Sequence, residues 1–397
     1  MNPKKNVWLA VIAGGQGTRL FPLSHASCPK QFCSLDKENT FIQATIRRFV
    51  EVEEIKPTRV VIVTTNSAQT QLAKEQTTSL GVLTQNILQI SSKFGYAGAM
   101  IKAAEFIKKI DNDAIIINTP ADQYIVLDEN FKNAVGNAIA SAANNCPTIV
   151  GVKVYDLNTV MGCGHALYRE DDSACYPVLG FVEKPDKKQA DKLMRDDNSV
   201  CNTGINVWST ETILSTASKL DLADGLSTDL LMSNLTNLKV AVGNFKWYDC
   251  GTLQSLYDVS KKTPNHKNAS LGLGNIDRVD CRGSLFYAVE GINLRVTGVE
   301  NSAVLATVIN SRIVIAVVKL SDSQRVRVLA EDYQKNEEFL TDDFSVGARN
   351  NTIVRTNISK EIRAGFVGVD NCIVYTYKNS DGIIDVAVSQ QRALKNK

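Results

Sequence analysis

Gly14, Gly15 and Gly17 follow directly on the apolar run Val7–Ala13, and Arg19 stands two residues beyond the last of them. Glycines at the end of a strand let the backbone turn sharply and come close to a ligand, because no Cβ intervenes. Free N–H groups in such a turn can cradle a phosphate. Arg19 adds a planar cationic fork, and Lys30, after Pro29, adds a second positive charge. Anion binding is therefore the chemistry this stretch could do. Its plain alternative is an ordinary glycine-rich strand–helix turn. It is not a Walker A loop, since Lys-Ser/Thr does not follow the last glycine, and it is not G-x-G-x-x-G. Three further places carry chemistry-bearing side chains. Asp122 follows the strand-like run A-I-I-I-N, where a turn or helix-capping aspartate is the ordinary reading. Glu183 and Lys184 follow G-F-V, a pattern usual for a solvated turn. His165, in M-G-C-G-H-A, reads as a polar loop histidine.

The elements that must position these residues alternate. Thr40–Val52 has helical apolar spacing, and Arg59–Thr64 reads as a strand. Asn86–Ile90 is a second strand, Ala97–Ile110 a helix with a small-residue face, and Ala114–Asn118 and Cys146–Val154 are further strands. Such alternation implies a parallel sheet with helices on both sides. Ligands bind beyond the carboxyl ends of the strands in such sheets, which is where Asp122 falls.

The string G-G-Q-G-T-R-L-F-P-L with P-K-Q-F at 29–32 resembles the sugar-nucleotidyltransferase family, in its mannose-1-phosphate guanylyltransferase form. Further blocks follow in the family's order: P-A-D at 120–122, M-G-C-G-H-A at 161–166, F-V-E-K-P at 181–185, C-N-T-G-I at 201–205 and W-Y-D-C-G-T at 247–252. Together they cover about residues 7–260. The chain departs from the family at Gln123, where the family has histidine. It departs again at F-G-Y-A-G-A (94–99), where the family has R-N-T-A-P-A, and at L-S-T-D-L-L-M (226–232). The resemblance implies an α/β, Rossmann-like catalytic domain with a mixed, mainly parallel sheet. It implies nucleotide binding by Gly14, Gly15, Gly17, Thr18 and Ala97, and charge neutralisation by the catalytic Arg19, Lys30 and Lys184. It places the sugar phosphate on Gly162, Glu183, Lys184, Asn202 and Gly204, and Mg²⁺ on Asp122 and Asp249. The implied reaction joins GTP and mannose 1-phosphate into GDP-mannose and pyrophosphate. The alternatives are the same reaction with another nucleoside triphosphate or sugar 1-phosphate, or a non-catalytic subunit that senses nucleotide-sugars.

Domain boundaries are expected at 1–262 (catalytic), 263–274 (linker) and 275–397 (β-rich). The last part contains an internal repeat, about 281–325 and 348–392, with G-V-E-N at 298–301 echoed by G-V-D-N at 368–371. Units this short bury little core alone, so they are expected to pack together and to support a homodimer. Val326–Val346 is acidic and is expected as helix or loop.

Composition narrows the partners. The chain has 397 residues, 22% of them charged, and a net charge of +2, which argues against a nucleic-acid-binding surface. Its nine cysteines show neither C-x-x-C nor zinc-ligand spacing, and no secretory signal is visible, so reduced thiols in a cytoplasm are expected. No apolar run approaches the roughly 20 residues that span a bilayer.

Overall fold

The computed structural model describes residues 6–15, 18–34, 38–53, 55–220, 226–310, 312–335, 353–356, 362–367, 369, 372–378 and 384–390. Two compact units result: residues 1–14 with 42–249, and residues 15–41 with 250–397.

The first unit is built on a nine-stranded sheet. Its strands are β1 (Val7–Ile12), β2 (Val60–Thr64), β3 (Ile87–Gln89), β4 (Ile115–Pro120), β6 (Thr148–Val152), β7 (Gly164–Tyr168), β8 (Tyr176–Glu183), β9 (Ser199–Ser209) and β10 (Lys239–Gly243). A separate two-stranded ribbon pairs β5 (Tyr124–Ile125) with β11 (Trp247–Tyr248). The order in the large sheet is β3-β2-β1-β4-β9-β6-β10-β8-β7. The pairings give a mixed sheet: β9 and β8 run against the other strands, with β9 inserted antiparallel between β4 and β6. The run of parallel strands that the helix–strand alternation implies is interrupted by the 11-residue β9, which also pairs with β7, giving the mixed, mainly parallel sheet that the family resemblance implies.

Helices α1 (Phe41–Glu53), α2 (Ser67–Thr77), α3 (Gly95–Lys108), α4 (Glu129–Ala143), α5 (Leu157–Gly162), α6 (Lys187–Arg195), α7 (Thr210–Ala217) and α8 (Thr228–Asn234) accompany the sheet. β1 is buried along both faces, as its unbroken apolar run requires. Trp8, Ala10 and Ile12 share a core with Met100 and Ile107 of α3, Ile213 of α7 and Leu231 of α8. Leu9 and Val11 are fully buried outside that cluster. The aromatic packing of α1 and α4 is a separate group: Phe131 lies 5.8 Å from Phe49 and 5.1 Å from Phe245, ring to ring. Asn66 and Asp128 cap α2 and α4 by accepting from Gln69 N and Phe131 N.

The second unit carries two five-stranded sheets. One has the order β12-β14-β16-β17-β19, the other β13-β15-β21-β20-β18. The ranges are β12 (Ala269–Leu271), β13 (Asn275–Val279), β14 (Leu285–Ala288), β15 (Ile292–Thr297), β16 (Ser302–Ile309), β17 (Arg312–Lys319), β18 (Ile353–Thr356), β19 (Ile362–Val367), β20 (Cys372–Lys378) and β21 (Ile384–Gln390). Residues 263–274, expected as a linker, thus contain a strand. Phe286, Leu294, Val304, Ile315, Val374 and Val386 meet in one core drawn from both sheets. The pairings map onto themselves when β14–β17 are exchanged for β18–β21. β14–β16 and β18–β20 are parallel, β16–β17 and β20–β21 antiparallel, and β17–β19 and β15–β21 parallel. The acidic stretch begins as helix α10 (Arg327–Lys335), preceded by α9 (Leu253–Val259) in chain order. Residues 336–350, and most of the second G-V-D-N, lie outside the described residues.

Candidate active site

The glycine stretch leaves β1 at its carboxyl end. Gly14 accepts hydrogen bonds through its carbonyl from Thr65 Oγ1 at 3.1 Å and Gln69 Nε2 at 3.4 Å, at the start of α2. Gly15 accepts from Gln31 Nε2 at 3.0 Å. Gly17 lies outside the described residues, and Thr18 and Arg19 sit on the 3-10 turn Thr18–Leu20. Lys30 is buried, 4% exposed, with Nζ 5.6 Å from the centre of the Phe41 ring. An aromatic face at this distance is a favourable neighbour for a cationic head group.

Asp122 lies two residues beyond β4 and two before Tyr124, and Asp249 directly follows Tyr248. The ribbon pairs Tyr248 with Tyr124 and Trp247 with Ile125, antiparallel. Continued by one step, that register sets Asp249 opposite Gln123, beside Asp122. Two carboxylates that are 127 positions apart in sequence therefore share one end of a short ribbon. Hard oxygen donors of this kind suit Mg²⁺, which takes one or two carboxylates and fills the rest of its shell with water and phosphate.

Gln123 is 5% exposed and donates from Nε2 to the Thr203 carbonyl at 2.6 Å. It ties the Asp122 turn to β9. In the sequence Gln123 stands out only as a departure from the family, and no local pattern foretells a bond across 80 positions. Tyr96, at the start of α3, also escapes sequence reasoning. Its hydroxyl donates to the Gly204 carbonyl at 3.0 Å. Burial first, and then the charge on Asp122, push its phenol well above the ordinary range. Ala97 beside it is fully buried in the core of α3.

Gly204 has φ +78°, and a Cβ there would come within 2.7 Å of Pro120 Cγ. Only glycine suits both the left-handed backbone and the close approach. Asn202 Oδ1 accepts from the Gly204 N–H at 2.9 Å, closing the turn in β9. Glu183 ends β8 opposite Gly164 of β7, and Gly162 ends α5. Lys184, at φ +45°, donates its backbone N–H to the Cys163 carbonyl at 3.2 Å. Its Nζ stands 3.5 Å from Glu183 Oε1 and is largely exposed. Glu183, Lys184 and Gly164 thus lie at one pair of strand ends in the first unit, with Gly162 two residues before Gly164 in the chain. His165, expected in a loop, is instead a buried residue of β7, 3% exposed, because β7 is flanked by β8 and β9.

Comparison with known proteins agrees with this fold. The mannose-1-phosphate guanylyltransferase of Sinorhizobium fredii is 27% identical over 330 residues, a match covering 75% of this chain and 63% of that protein. Mannose-1-phosphate guanylyltransferase 2 of Escherichia coli O157:H7 is 26% identical over 373 residues, covering 83% and 74% of the two chains. The match thus spans less than two thirds of the Sinorhizobium protein. A crystal structure described as mannose-1-phosphate geranyltransferase, from Thermus thermophilus, superposes with a TM-score of 0.68 at 23% identity, over 83% of this chain and 99% of that one. Among the described residues no helix is long and apolar enough to cross a membrane. Residues 9–266 match the family described as nucleotidyl transferase, and the chain belongs to that family.

Proposed function

We propose that the protein transfers a guanylyl group from GTP to mannose 1-phosphate, releasing pyrophosphate. The observation that carries this reading is the ribbon register that brings Asp122 and Asp249 to one strand end, in a chain whose glycine turn leaves β1 with Arg19 close behind. A phosphate oxygen of the sugar phosphate attacks the α-phosphorus in line. The P–O bond to the β-phosphate breaks, and pyrophosphate leaves. Phosphoryl chemistry of this sort asks the protein for positioning and charge neutralisation. Asp122 and Asp249 would hold Mg²⁺, which when bound offsets negative charge on the phosphates. Backbone N–H groups of the glycine turn and the Arg19 fork take the phosphates that become the leaving group. Lys30 offsets charge on the α-phosphate, and Lys184 on the incoming sugar phosphate. Glu183 and Asn202 orient sugar hydroxyls. No general base is needed, because the attacking phosphate is already ionised.

The same reaction on another base is the second reading, favoured by the segment Phe94–Ala99. There Phe94, Gly95 and Tyr96 take the place of the polar residues usual in the family, while Ala97 matches it. A pyrophosphate-release panel of four nucleoside triphosphates against several sugar 1-phosphates separates the two. The highest kcat/KM is expected for GTP with mannose 1-phosphate; a higher value for UTP or dTTP would overturn the choice of base. We further infer that the C-terminal β-domain is a duplicated unit whose copies exchange one strand, β15 for β19, and that it serves assembly rather than chemistry.

A further inference from the structure

Three side chains in the first unit meet at a place the nucleotidyl-transfer reading does not use. Cys163 lies between α5 and β7, His165 is on β7, and Cys201 is its direct partner on β9. The Cys163 and Cys201 sulfurs are 3.5 Å apart, and His165 Nε2 is 3.4 Å from Cys201 Sγ. One ligand atom from each of the three lies within 4.8 Å of the other two. Both cysteines are free thiols, and Cys201 and His165 are 1% and 3% exposed. A second observation concerns the imidazole itself. Its Nε2 meets the Val160 carbonyl at 3.0 Å, while its Nδ1 is buried with no hydrogen-bond partner. The protein alone does not complete the bonding of this ring.

We propose that Cys163, His165 and Cys201 form a binding site for one thiophilic divalent cation, zinc. Zinc takes thiolate sulfur at about 2.3 Å and imidazole nitrogen at about 2.0–2.1 Å in a tetrahedron. The edges of such a tetrahedron are about 3.8 Å between sulfurs and about 3.5 Å between sulfur and nitrogen. The sulfur–sulfur distance and the distance from Cys201 Sγ to His165 Nε2 lie within a few tenths of an ångström of those edges; coordination through Nε2 takes the place of its hydrogen bond to the Val160 carbonyl and leaves the ring proton on Nδ1. Two thiolates neutralise its charge, and the two thiol protons are released to solvent on binding. Cys163 is half-buried, which leaves the fourth position open to water. The spacing C-x-H with a remote cysteine carries no mark in the sequence, because the third ligand arrives through the β7–β9 pairing. The site braces the turn between Gly162 and Gly164 against β9. It is distinct in chemistry from the carboxylate pair, and its existence does not depend on the proposed reaction.

Cobalt(II) reports on it directly. Full-length protein, reduced and stripped with chelator, is titrated with Co²⁺. One equivalent is expected to give the visible bands of tetrahedral cobalt with near-ultraviolet thiolate charge transfer, displaced by one equivalent of Zn²⁺. Cobalt bound by carboxylates lacks the thiolate band, so the Asp122–Asp249 pair cannot imitate the signal. Cys163→Ser, at a half-exposed position that leaves the fold intact, should abolish the charge transfer. His165→Gln should weaken binding by at least about 10–100-fold. The proposal is overturned if reduced protein gives no thiolate band, if Cys163→Ser leaves the band unchanged, or if freshly reduced protein forms a Cys163–Cys201 disulfide on mild oxidation and takes up no metal beforehand.

Discussion

Tyr124 and Tyr248 pair across a two-stranded antiparallel ribbon, with ring centroids 6.2 Å apart. The ring contact helps fix the register of two strands that are only two residues long each. Aromatic cross-strand pairs contribute roughly 0.2–1 kcal/mol. That is enough to favour one register in a ribbon this short, and the register decides whether Asp249 stands beside Asp122.

Loss of one carboxylate should therefore remove activity and leave the fold. Asp249→Asn is expected to lower kcat by about 10²–10³, with a thermal melting curve close to that of the unaltered protein. Turnover at limiting Mg²⁺ equal to the unaltered protein would take Asp249 out of the metal site. Asp122→Asn should behave in the same way.

Gly164 tests the β7–β8 strand ends. A Cβ at this position would fall inside contact distance of the Phe181 ring, and 2.6 Å from Glu183 Oε2. Gly164→Ala must push Glu183 aside. Overpacking of this sort costs about 1–3 kcal/mol. The expected result in chemical denaturation is a loss of that size, together with a raised KM for the sugar phosphate and little change in KM for the nucleotide. A variant with unaltered stability would mean that the β7–β8 strand ends are looser than described.

His25 gives the second unit a pH dependence. Burial holds its imidazole below the ordinary value of 6.5, and its Nδ1 is buried without a hydrogen-bond partner. The unfolded chain therefore binds a proton more readily than the folded one. Stability from this group is complete above pH 6.5 and is lost as pH falls through the lowered folded value. Melting temperature measured from about pH 7.5 down to about pH 5 should fall less steeply in His25→Gln than in the unaltered protein. Parallel curves would remove His25 as a contributor.

Removal of the C-terminal part should do more than delete a separate domain. Phe21 lies 5.4 Å from Tyr333, ring to ring, within the second unit that joins residues 15–41 to 250–397. A chain ended after Lys262 leaves Phe21 without that cover. It should melt earlier and sediment as aggregates, whereas an unchanged melting temperature and oligomeric state would show that residues 15–41 stand without the β-domain.

Local periodicity and motif order make much of this molecule legible from its residues. β1, α1, β2 and α3 lie within a few residues of their expected places, because each carries its own apolar pattern. Asp122 just past β4, and Glu183 at the end of β8, are local consequences of strands stopping. What stays hidden depends on pairing at long range. The antiparallel β9 carries no mark of direction in its sequence. The neighbourhood of Asp122 and Asp249, the Gln123–Thr203 bond and the burial of His165 all arise from contacts between strands dozens of positions apart. The grouping of residues 15–41 with the β-domain arises the same way, from side chains such as Phe21 that a motif reading assigns to the loop alone.

Phosphorus NMR of the full-length protein with GTP, mannose 1-phosphate and Mg²⁺ tests the central claim most directly. The expected result is loss of the GTP and sugar-phosphate signals with matching growth of pyrophosphate and the diphosphate pair of GDP-mannose, reversed on adding excess pyrophosphate and absent in Asp249→Asn. Unchanged spectra with every nucleoside triphosphate and sugar 1-phosphate supplied, from protein that binds those nucleotides, would contradict it and leave a nucleotide-sugar-binding regulatory role in its place.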